Sequence, residues 1–382
     1  VILEKSAHVL NKVRISGGGR CNVTHACFDS RVFATHYPRG YKALIGPLHR
    51  WDAERTIEWF EAHGVALKTE ADGRMFPTTD DSQTILDCLC GAAKEQGIEV
   101  RTRTSVQEID YHQNEPFPFR IHLQSGWYVQ TRHLLIATGG TRSSDSASLL
   151  HFSGHTLKPA VPSLFTFNLV DKSWKEMTGL SVQKVALSIP STKLQSEGPL
   201  LFTHWGLSGP AILKLSAWSA RELHACDYRF SVLVDWLPGI DPAQRFSELR
   251  QEAGKRKIHS RSPFEQLPRR FWETLVSKVP IPSGTTWSQV SKKQGLNLVE
   301  LLKRCVFEVN GKSMNKEEFV TCGGVHLDEV NLKTMESRMV PGLYFAGEVL
   351  DIDGITGGFN FQSAWTTGYL AGTAIAESAD QF

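Results

Sequence analysis

Three glycine-rich segments carry residue types suited to holding a charged or planar ligand. The first is Val13-Arg14-Ile15-Ser16-Gly17-Gly18-Gly19-Arg20-Cys21-Asn22. Consecutive glycines reach positive φ without steric cost and let a ligand approach backbone N–H groups, and Arg20 adds a permanent positive charge. No Lys-Ser/Thr follows in the manner of a Walker A loop, and the pattern is not GxGxxG. The second segment, 133–142, reads as a buried strand Leu134-Leu135-Ile136-Ala137 that stops at Thr138-Gly139-Gly140. Such strand ends bring backbone to the carboxyl edge of a sheet, where ligands bind in α/β folds. The third, 342–362, runs from a strand through the acids Glu348, Asp351 and Asp353 to Gly357-Gly358 and an apolar helix. A helix N-terminus offers free N–H groups and favours negative ligand oxygens. Taken singly, the first two are also ordinary loop punctuation, and the third is also a tight strand-to-helix connection with acidic caps.

The elements around these loops follow from hydrophobic periodicity. Apolar spacing predicts a helix over 53–63 stopped by Gly64, and a second from Ser82, as its N-cap, to Gly97. The period then changes to two, predicting strands at 98–100, 106–111, 119–123 and 127–137, the last two joined by a Ser125-Gly126 turn. Residues 162–237 are β-rich, with strands at 164–170, 185–189, 200–202 and 230–234 and one helix near 209–222. Residues 239–300 are polar, helical and broken by prolines, as in a small inserted helical unit. A strand returns at 305–309, another lies at 342–346, and a helix closes the chain over 361–377.

With 382 residues the chain suits two or three domains. A net charge of +2 supplies no global field to recruit nucleic acid or an anionic membrane, so neither partner is expected and a small-molecule substrate is. Seven cysteines without a CxxC framework fit unpaired thiols in a reducing compartment, the cytoplasm or an organelle interior. Cys21 invites a redox role, but Cys27 lies at no spacing that supports one, so a structural thiol is expected. The histidines show no HExxH-type spacing; no metal is expected, and His204 is read as a packed residue. Trp205 and Trp365 either pack or flank a flat substrate. No stretch approaches the roughly 18–20 apolar residues that span a bilayer.

The runs ISGGGRCNVT at 15–24, ATGG at 137–140 and GLYFAGEVLDIDGITGGFNFQSAWTTGYLAG at 342–372 resemble the HI0933-like flavoproteins. These are also described as aminoacetone-oxidase-like NAD(P)/FAD-dependent oxidoreductases. DGRMFP at 72–77 and THWGLSGP at 203–210 extend the resemblance over essentially the whole chain. It implies an α/β fold, the two-dinucleotide-binding-domain flavoprotein fold, Rossmann-like, with inserted β-barrel-like and small helical domains. The FAD-binding domain then takes residues 1–158 and 321–382, the barrel-like insert 159–237 and 301–320, and the helical insert 238–300. Composition places breaks near the same points. The resemblance also implies that the family's opening strand and GxGxxG loop are lacking, with Val1-Ile2-Leu3 standing as the second strand. Leu10-Asn11 replaces the family's Gly-Arg ahead of Lys12.

The cofactor implied is FAD, with NAD(P)H or oxygen as a transient co-substrate. Its adenosine end falls to Glu4 and its flavin ring to the loop Gly17, Gly18, Gly19, Arg20, Cys21 and Asn22, with Lys5, Ser16 and Val106 also in the cofactor set. Lys12, Ala137, Thr138, Gly139, Gly140, Gly347, Glu348 and Asp353 join the cofactor set, with Glu348 on the ribityl hydroxyls. Gly357, Gly358, Phe359, Asn360 and Phe361 complete it at the N-terminus of the last helix. Arg20, Asn22 and Thr24 are the candidates for the substrate side, and no catalytic triad is named because the hydride chemistry belongs to the flavin. The expected function is hydride transfer through flavin to or from a small molecule. A flavin-binding protein without turnover is the alternative, and an RNA-modifying flavoenzyme stands further back because of the balanced charge.

Overall fold

Among the described residues two pairs of strands run parallel, and one of these pairs leads directly into two of the glycine-rich loops. In this computed structural model, which describes residues 1–142, 144–313 and 320–379, Ile2–Leu3 pairs with Val100–Arg101 and Leu134–Ile136 pairs with Leu343–Phe345. Residues 143, 314–319 and 380–382, which fall in the expected segments 1–158, 301–320 and 321–382, lie outside the described residues. The chain divides into two compact units, Val1–Ser163 with Asn315–Phe382, and Leu164–Met314.

The first unit mixes strands and helices. The Leu343–Phe345 strand continues antiparallel through Glu336–Ser337 to Val330–Asn331. A meander of Val106–Tyr111, Phe119–Leu123 and Tyr128–Thr131 buries Ile109, Phe119, Ile121 and Leu123 in the unit's main core. The expected single strand over 127–137 is therefore two strands, because Tyr128–Thr131 pairs with the meander and Leu134–Ile136 with a strand from the far end of the chain. Leu157–Ser163 pairs antiparallel with Val320–Val325, and this pair belongs to the first unit.

Helices Ala53–Ala62, Ser82–Glu95 and Phe359–Ala379 lie where periodicity places helices. The cap of the second is Asp81 rather than Ser82: the Asp81 carboxylate accepts from the Gln83 N–H at 2.9 Å, while Ser82 Oγ donates to the Arg14 carbonyl at 2.7 Å. Both residue types cap helices, so the choice between neighbours rests on which side chain has another use. Two helices not foreseen, Ser30–Ala34 and Tyr41–Arg50, pack Phe33, Leu44 and Leu48 into the same core. The expected helix near 209–222 is two, Pro210–Trp218 and Ala220–Ala225.

The second unit is a closed six-stranded antiparallel barrel with helices inserted between its last two strands. Around the barrel run Thr166–Leu169, Gly206–Ser208, Gln195–Phe202, Ser181–Ser188, Arg229–Asp235 and Cys305–Ser313. The helices Pro242–Glu252, Arg269–Ser277 and Lys292–Lys303 do not form a separate body. Their Phe271, Trp272, Leu275 and Leu298 share one core cluster with barrel residues, and the Phe271 ring lies 4.5 Å from Trp236 and 5.7 Å from Phe202. A segment of about 60 residues buries too little surface by itself, so its apolar faces are stabilised against the barrel.

Candidate functional site

The first glycine run ends a helix by leaving helical geometry altogether. Within Asn11–Gly19 the backbone departs at Ser16 and takes left-handed φ values of 58° and 69° at Gly17 and Gly18, followed by 86° at Gly19. Gly17 is required on two counts, since a Cβ there would meet Phe76 Cε1 at 2.9 Å and the Asn22 N at 3.1 Å. Around Gly18 and Gly19 the corresponding space is open. The loop thus has a packed side and a bare side, and the bare side is backbone.

What holds the loop comes from the other end of the chain. Asn22 is buried; with its amide turned to satisfy both faces, Nδ2 donates to the Thr24 and Met75 carbonyls at 3.0 and 3.3 Å, and Oδ1 accepts from the Gly358 N–H at 3.0 Å. Thr24 Oγ1 donates to Gln362 Oε1 at 2.6 Å, and Gln362 Nε2 in turn donates to Thr56 at 3.0 Å and Thr366 at 3.2 Å. Thr24, Gln362, Thr56 and Thr366 are all buried, so Thr24 is turned inward as a strut rather than outward toward a substrate. His25 Nδ1 donates to the Gly357 carbonyl at 3.0 Å, and Asn360 closes its own loop by accepting from the Gly354 N–H at 2.8 Å and donating to the Gly354 carbonyl at 3.0 Å. The structure therefore brings Ser16–Asn22 together with Gly357–Asn360 at the N-terminus of the helix Phe359–Ala379.

A second group sits at the ends of the parallel strands Leu134–Ile136 and Leu343–Phe345. Glu348 pairs with Lys12 through one oxygen and accepts from the Thr321 N–H through the other at 2.7 Å. Gly140 lies against this carboxylate: a Cβ there would come within 2.9 Å of Glu348 Oε1. Gly347 is tied to the long helix by its N–H, which donates to Thr367 at 2.9 Å. Gly139 has φ of 76°, and Ala137 and Thr138 are exposed beside it. Lys12 stands on the segment that carries Ser16, so the two groups are joined through Asn11–Gly19.

The remaining candidates lie apart from these. Glu4 ends the Ile2–Leu3 strand, its carboxylate accepts from the Ser6 N–H at 2.7 Å, and its carbonyl accepts from Thr104 at 2.9 Å, which brings it near the start of the Val106–Tyr111 strand. Lys5 is exposed and Val106 half-buried. Asp353 does not face a ligand space: it is fully buried, accepts from Arg39 Nε at 2.5 Å and from Ser163 Oγ at 2.9 Å, and burial pushes its carboxyl above the ordinary value against the pull of Arg39. An acid in a glycine-rich ligand loop reads the same in sequence whether it serves the ligand or the core. Phe359 is buried too, with His36 stacked on its ring at 4.3 Å and His25 at 4.7 Å, and Phe361 stacks on Trp365 at 5.7 Å. Trp365 packs and donates to the Val23 carbonyl at 3.0 Å, whereas Trp205 is 64% exposed on the barrel unit.

Arg20 is half-exposed, with its guanidinium 4.0 Å over the Phe76 ring and donating to Glu70 at 2.6 Å and Asp80 at 3.4 Å. Phe76 and Gln362 lie in the runs DGRMFP at 72–77 and 342–372, which marked the segments but not these side chains. Glu70, Thr321 and His25 are contributors that no sequence motif marked.

Cys21 adopts φ of 60°, and burial pushes its thiol up to about 11, partly offset by a hydrogen bond from Ser16. A thiol so far from ionised near pH 8 is a poor nucleophile. Ellman's reagent is expected to titrate the exposed Cys90 and Cys226 in the native protein, with Cys21 and Cys305 reacting only after denaturation. Rapid native labelling of Cys21, located by peptide mapping, would show instead that the thiol is accessible and activated.

Residues 1–374 match the HI0933-like protein Rossmann domain. The chain is 30% identical over 94% of its length, and 87% of the relative's, to a protein of Escherichia coli K12 named ribosomal RNA dihydrouridine synthase. A protein of Haemophilus influenzae with the same name is 27% identical, covering 98% of this chain and 92% of that one. A protein of Clostridium scindens named 3-dehydro-bile acid delta(4,6)-reductase is 26% identical with the same coverage of 98% and 92%. Among solved structures, a 3-ketosteroid dehydrogenase of Rhodococcus jostii aligns at 13% identity and a TM-score of 0.48, covering 98% of this chain and 91% of that one. From the match across nearly its whole length, the chain belongs to the HI0933-like family of FAD-dependent oxidoreductases, enzymes with a Rossmann-type domain.

Proposed function

We propose that this protein is an FAD-dependent reductase that saturates a carbon–carbon double bond conjugated to a carbonyl in a planar ring. The observation that carries the reading is the glycine loop: Gly17 and Gly358 are packed against protein, whereas Gly18 and Gly19 leave bare backbone facing open space. That arrangement fits a flat ring and its polar edge. Gly18, Gly19, Asn360 and the first N–H groups of the helix Phe359–Ala379 would hold the flavin end of FAD. Glu348 would serve the ribityl hydroxyls, since each carboxylate oxygen retains a lone pair beyond its present partner. Glu4 and Val106 would serve the adenosine end. FAD, when bound and reduced by NADH or NADPH, would supply the hydride.

The chain's own residues supply position and charge. Saturation of a conjugated double bond places a hydride on the carbon β to the carbonyl and a proton on the α carbon, with negative charge passing through the carbonyl oxygen. Arg20 follows Gly19 directly and is held in place by Glu70, Asp80 and the Phe76 ring, a preorganised cation for that oxygen. Asn22, engaged on both faces of its amide, fixes the loop and does not reach a substrate.

The relatives' names supply the ring. Two are named for making dihydrouridine in ribosomal RNA and one for reducing a bile acid, and both products arise by saturating a double bond conjugated to a carbonyl. The uracil of an RNA is therefore put ahead of the free small molecule that charge balance suggests, since net charge describes the global field and not a local contact. The test is anaerobic. The flavin bands of the purified protein, about 370 and 450 nm, are expected to bleach with NADH or NADPH and to return on adding either a uridine-containing RNA or a steroid enone. Recovery with RNA only, or with the enone only, assigns the substrate; a reduced flavin that neither reoxidises rejects the reading.

A further inference from the structure

An open cavity of about 380 Å³ lies in the first unit between the link that leads into the meander and the turn of its last hairpin. It is lined by Arg101 and Arg103 and by Trp127 and Tyr128, with Thr104, Ser105, Gln124 and Ser125 supplying hydroxyl and amide groups. No carboxylate is among its lining residues. Its volume is in the range of sites for small ligands, roughly 300–1,000 Å³.

Trp127 is 76% exposed, next to Tyr128 at 55%. The hairpin turn that carries Trp127 is closed by Gly126 N–H to the Leu123 carbonyl at 2.9 Å and by Leu123 N–H to the Trp127 carbonyl at 2.8 Å, so the indole is presented on fixed backbone. In the same lining, Arg103 holds a left-handed φ of 52°, anchored by its N–H to the Ser6 carbonyl at 2.9 Å. Arg101 is fixed by two bonds of 2.9 Å to Glu99, outside the lining, while the Arg103 guanidinium has no partner among the described residues. An exposed flat apolar ring and an unpaired cation that line one cavity together with hydroxyl groups match the two halves of a nucleotide.

We propose that this cavity receives one nucleotide of a single-stranded RNA, its base stacked on Trp127 and its phosphate paired with Arg103. The choice of RNA over a free nucleotide rests on the reductase reading above. None of its lining residues is assigned to FAD, but Thr104 donates its N–H to the Glu4 carbonyl at 2.9 Å and Ser105 precedes Val106, so FAD-loaded and FAD-free protein must be compared to tell the two sites apart.

The test uses FAD-loaded protein and a fluorescein-labelled ten-nucleotide oligouridylate, with binding followed by anisotropy over a salt series. Trp127→Ala is expected to weaken binding about tenfold, the scale of one lost base stack. Arg103→Gln is expected to make the slope of log K against log salt shallower by about 0.7, one phosphate contact on a single strand. Lys184→Gln, an exposed cation of the barrel unit, is the control and should bind as the parent does. Equal loss in the control, or no loss in the two cavity variants, overturns the proposal. Binding seen only in FAD-free protein also overturns it, because the cavity would then be serving the cofactor. So does free AMP competing as well as the oligomer, which assigns the cavity to a free nucleotide. Oligouridylate binding that needs both residues, in a protein that reduces neither RNA nor the enone, supports the cavity and sinks the reductase reading. RNA reduction indifferent to both variants does the reverse.

Discussion

Gly358→Ala is expected to lose flavin and fold stability together, whereas Gly18→Ala loses flavin with the fold nearly intact. Gly358 has φ of 92°, and a Cβ there would lie 2.5 Å from the Thr24 carbonyl carbon and 2.8 Å from its Cα. Both obstacles are backbone and cannot swing away. A left-handed L-residue plus overpacking of this kind costs about 4 kcal/mol. For a unit of this size that lowers Tm by about 10 °C. Shifting Gly358 also strains the N–H that Asn22 accepts, which is the tie between the glycine loop and the long helix. Gly18 differs in one respect that decides the outcome: its φ is 69°, but nothing lies within 4 Å of its would-be Cβ. Only the conformational cost remains, about 1 kcal/mol, or a Tm lowered by about 3 °C. Its methyl would stand on the bare face of the loop, so flavin affinity should fall about tenfold or more by steric conflict. Differential scanning fluorimetry and the flavin absorbance of each variant separate the two effects. A Gly18→Ala protein that purifies fully loaded with flavin would remove the bare loop from the cofactor site.

Arg39→Met is expected to be the most destabilising single change on the polar side of the first unit. It strands the fully buried Asp353, which otherwise accepts from Arg39 and from Ser163. Removing one partner of a buried pair costs about 3–5 kcal/mol, because the other charge is left without compensation. The loss should depend on pH. Burial already raises the Asp353 carboxyl above its ordinary value, with Arg39 opposing. A carboxyl raised on folding binds its proton more tightly in the native state, so the stability it confers is present at low pH and lost as pH rises through that raised value. Without Arg39 the carboxyl rises further, and the deficit should be largest near about pH 8 and shrink toward about pH 5. Thermal unfolding of parent and variant across this range reads the difference directly. A deficit that grows on acidification would mean that Asp353 is stabilised as an anion by groups other than Arg39. The double change Arg39→Met with Asp353→Leu should recover much of the loss, as the hydrophobic replacement of a buried pair often does.

Particular elements show where sequence reading succeeds. The Leu134–Ile136 strand followed by Gly139 and Gly140, and the Leu343–Phe345 strand followed by Gly347, were legible because a short apolar run ended by glycine is a local signal. Their parallel pairing was not, since the register Tyr344↔Leu135 joins residues distant in the chain. The same cause split the expected strand over 127–137: alternation continues through it, while its two halves find partners in different sheets. The helical stretch after residue 237 was legible as helical, but its union with the barrel was not, because an apolar helix face does not state what covers it.

At the site, backbone needs were written locally and side-chain purposes were not. The run Gly17-Gly18-Gly19 and the pair Gly357-Gly358 announce positive φ, and all five adopt it. Residue type and spacing therefore determined where the backbone must be bare or crowded. Only the tertiary structure decided that Gly17 and Gly358 are crowded while Gly18 and Gly19 are bare, that Thr24 turns inward to Gln362, and that Asp353 belongs to Arg39. Those partners stand more than 300 positions apart, and a hydroxyl or a carboxylate near a ligand loop has the same chemistry whether it faces the ligand or the core. Its surroundings are set by which distant surfaces are buried together, and burial is a property of the folded chain rather than of any segment.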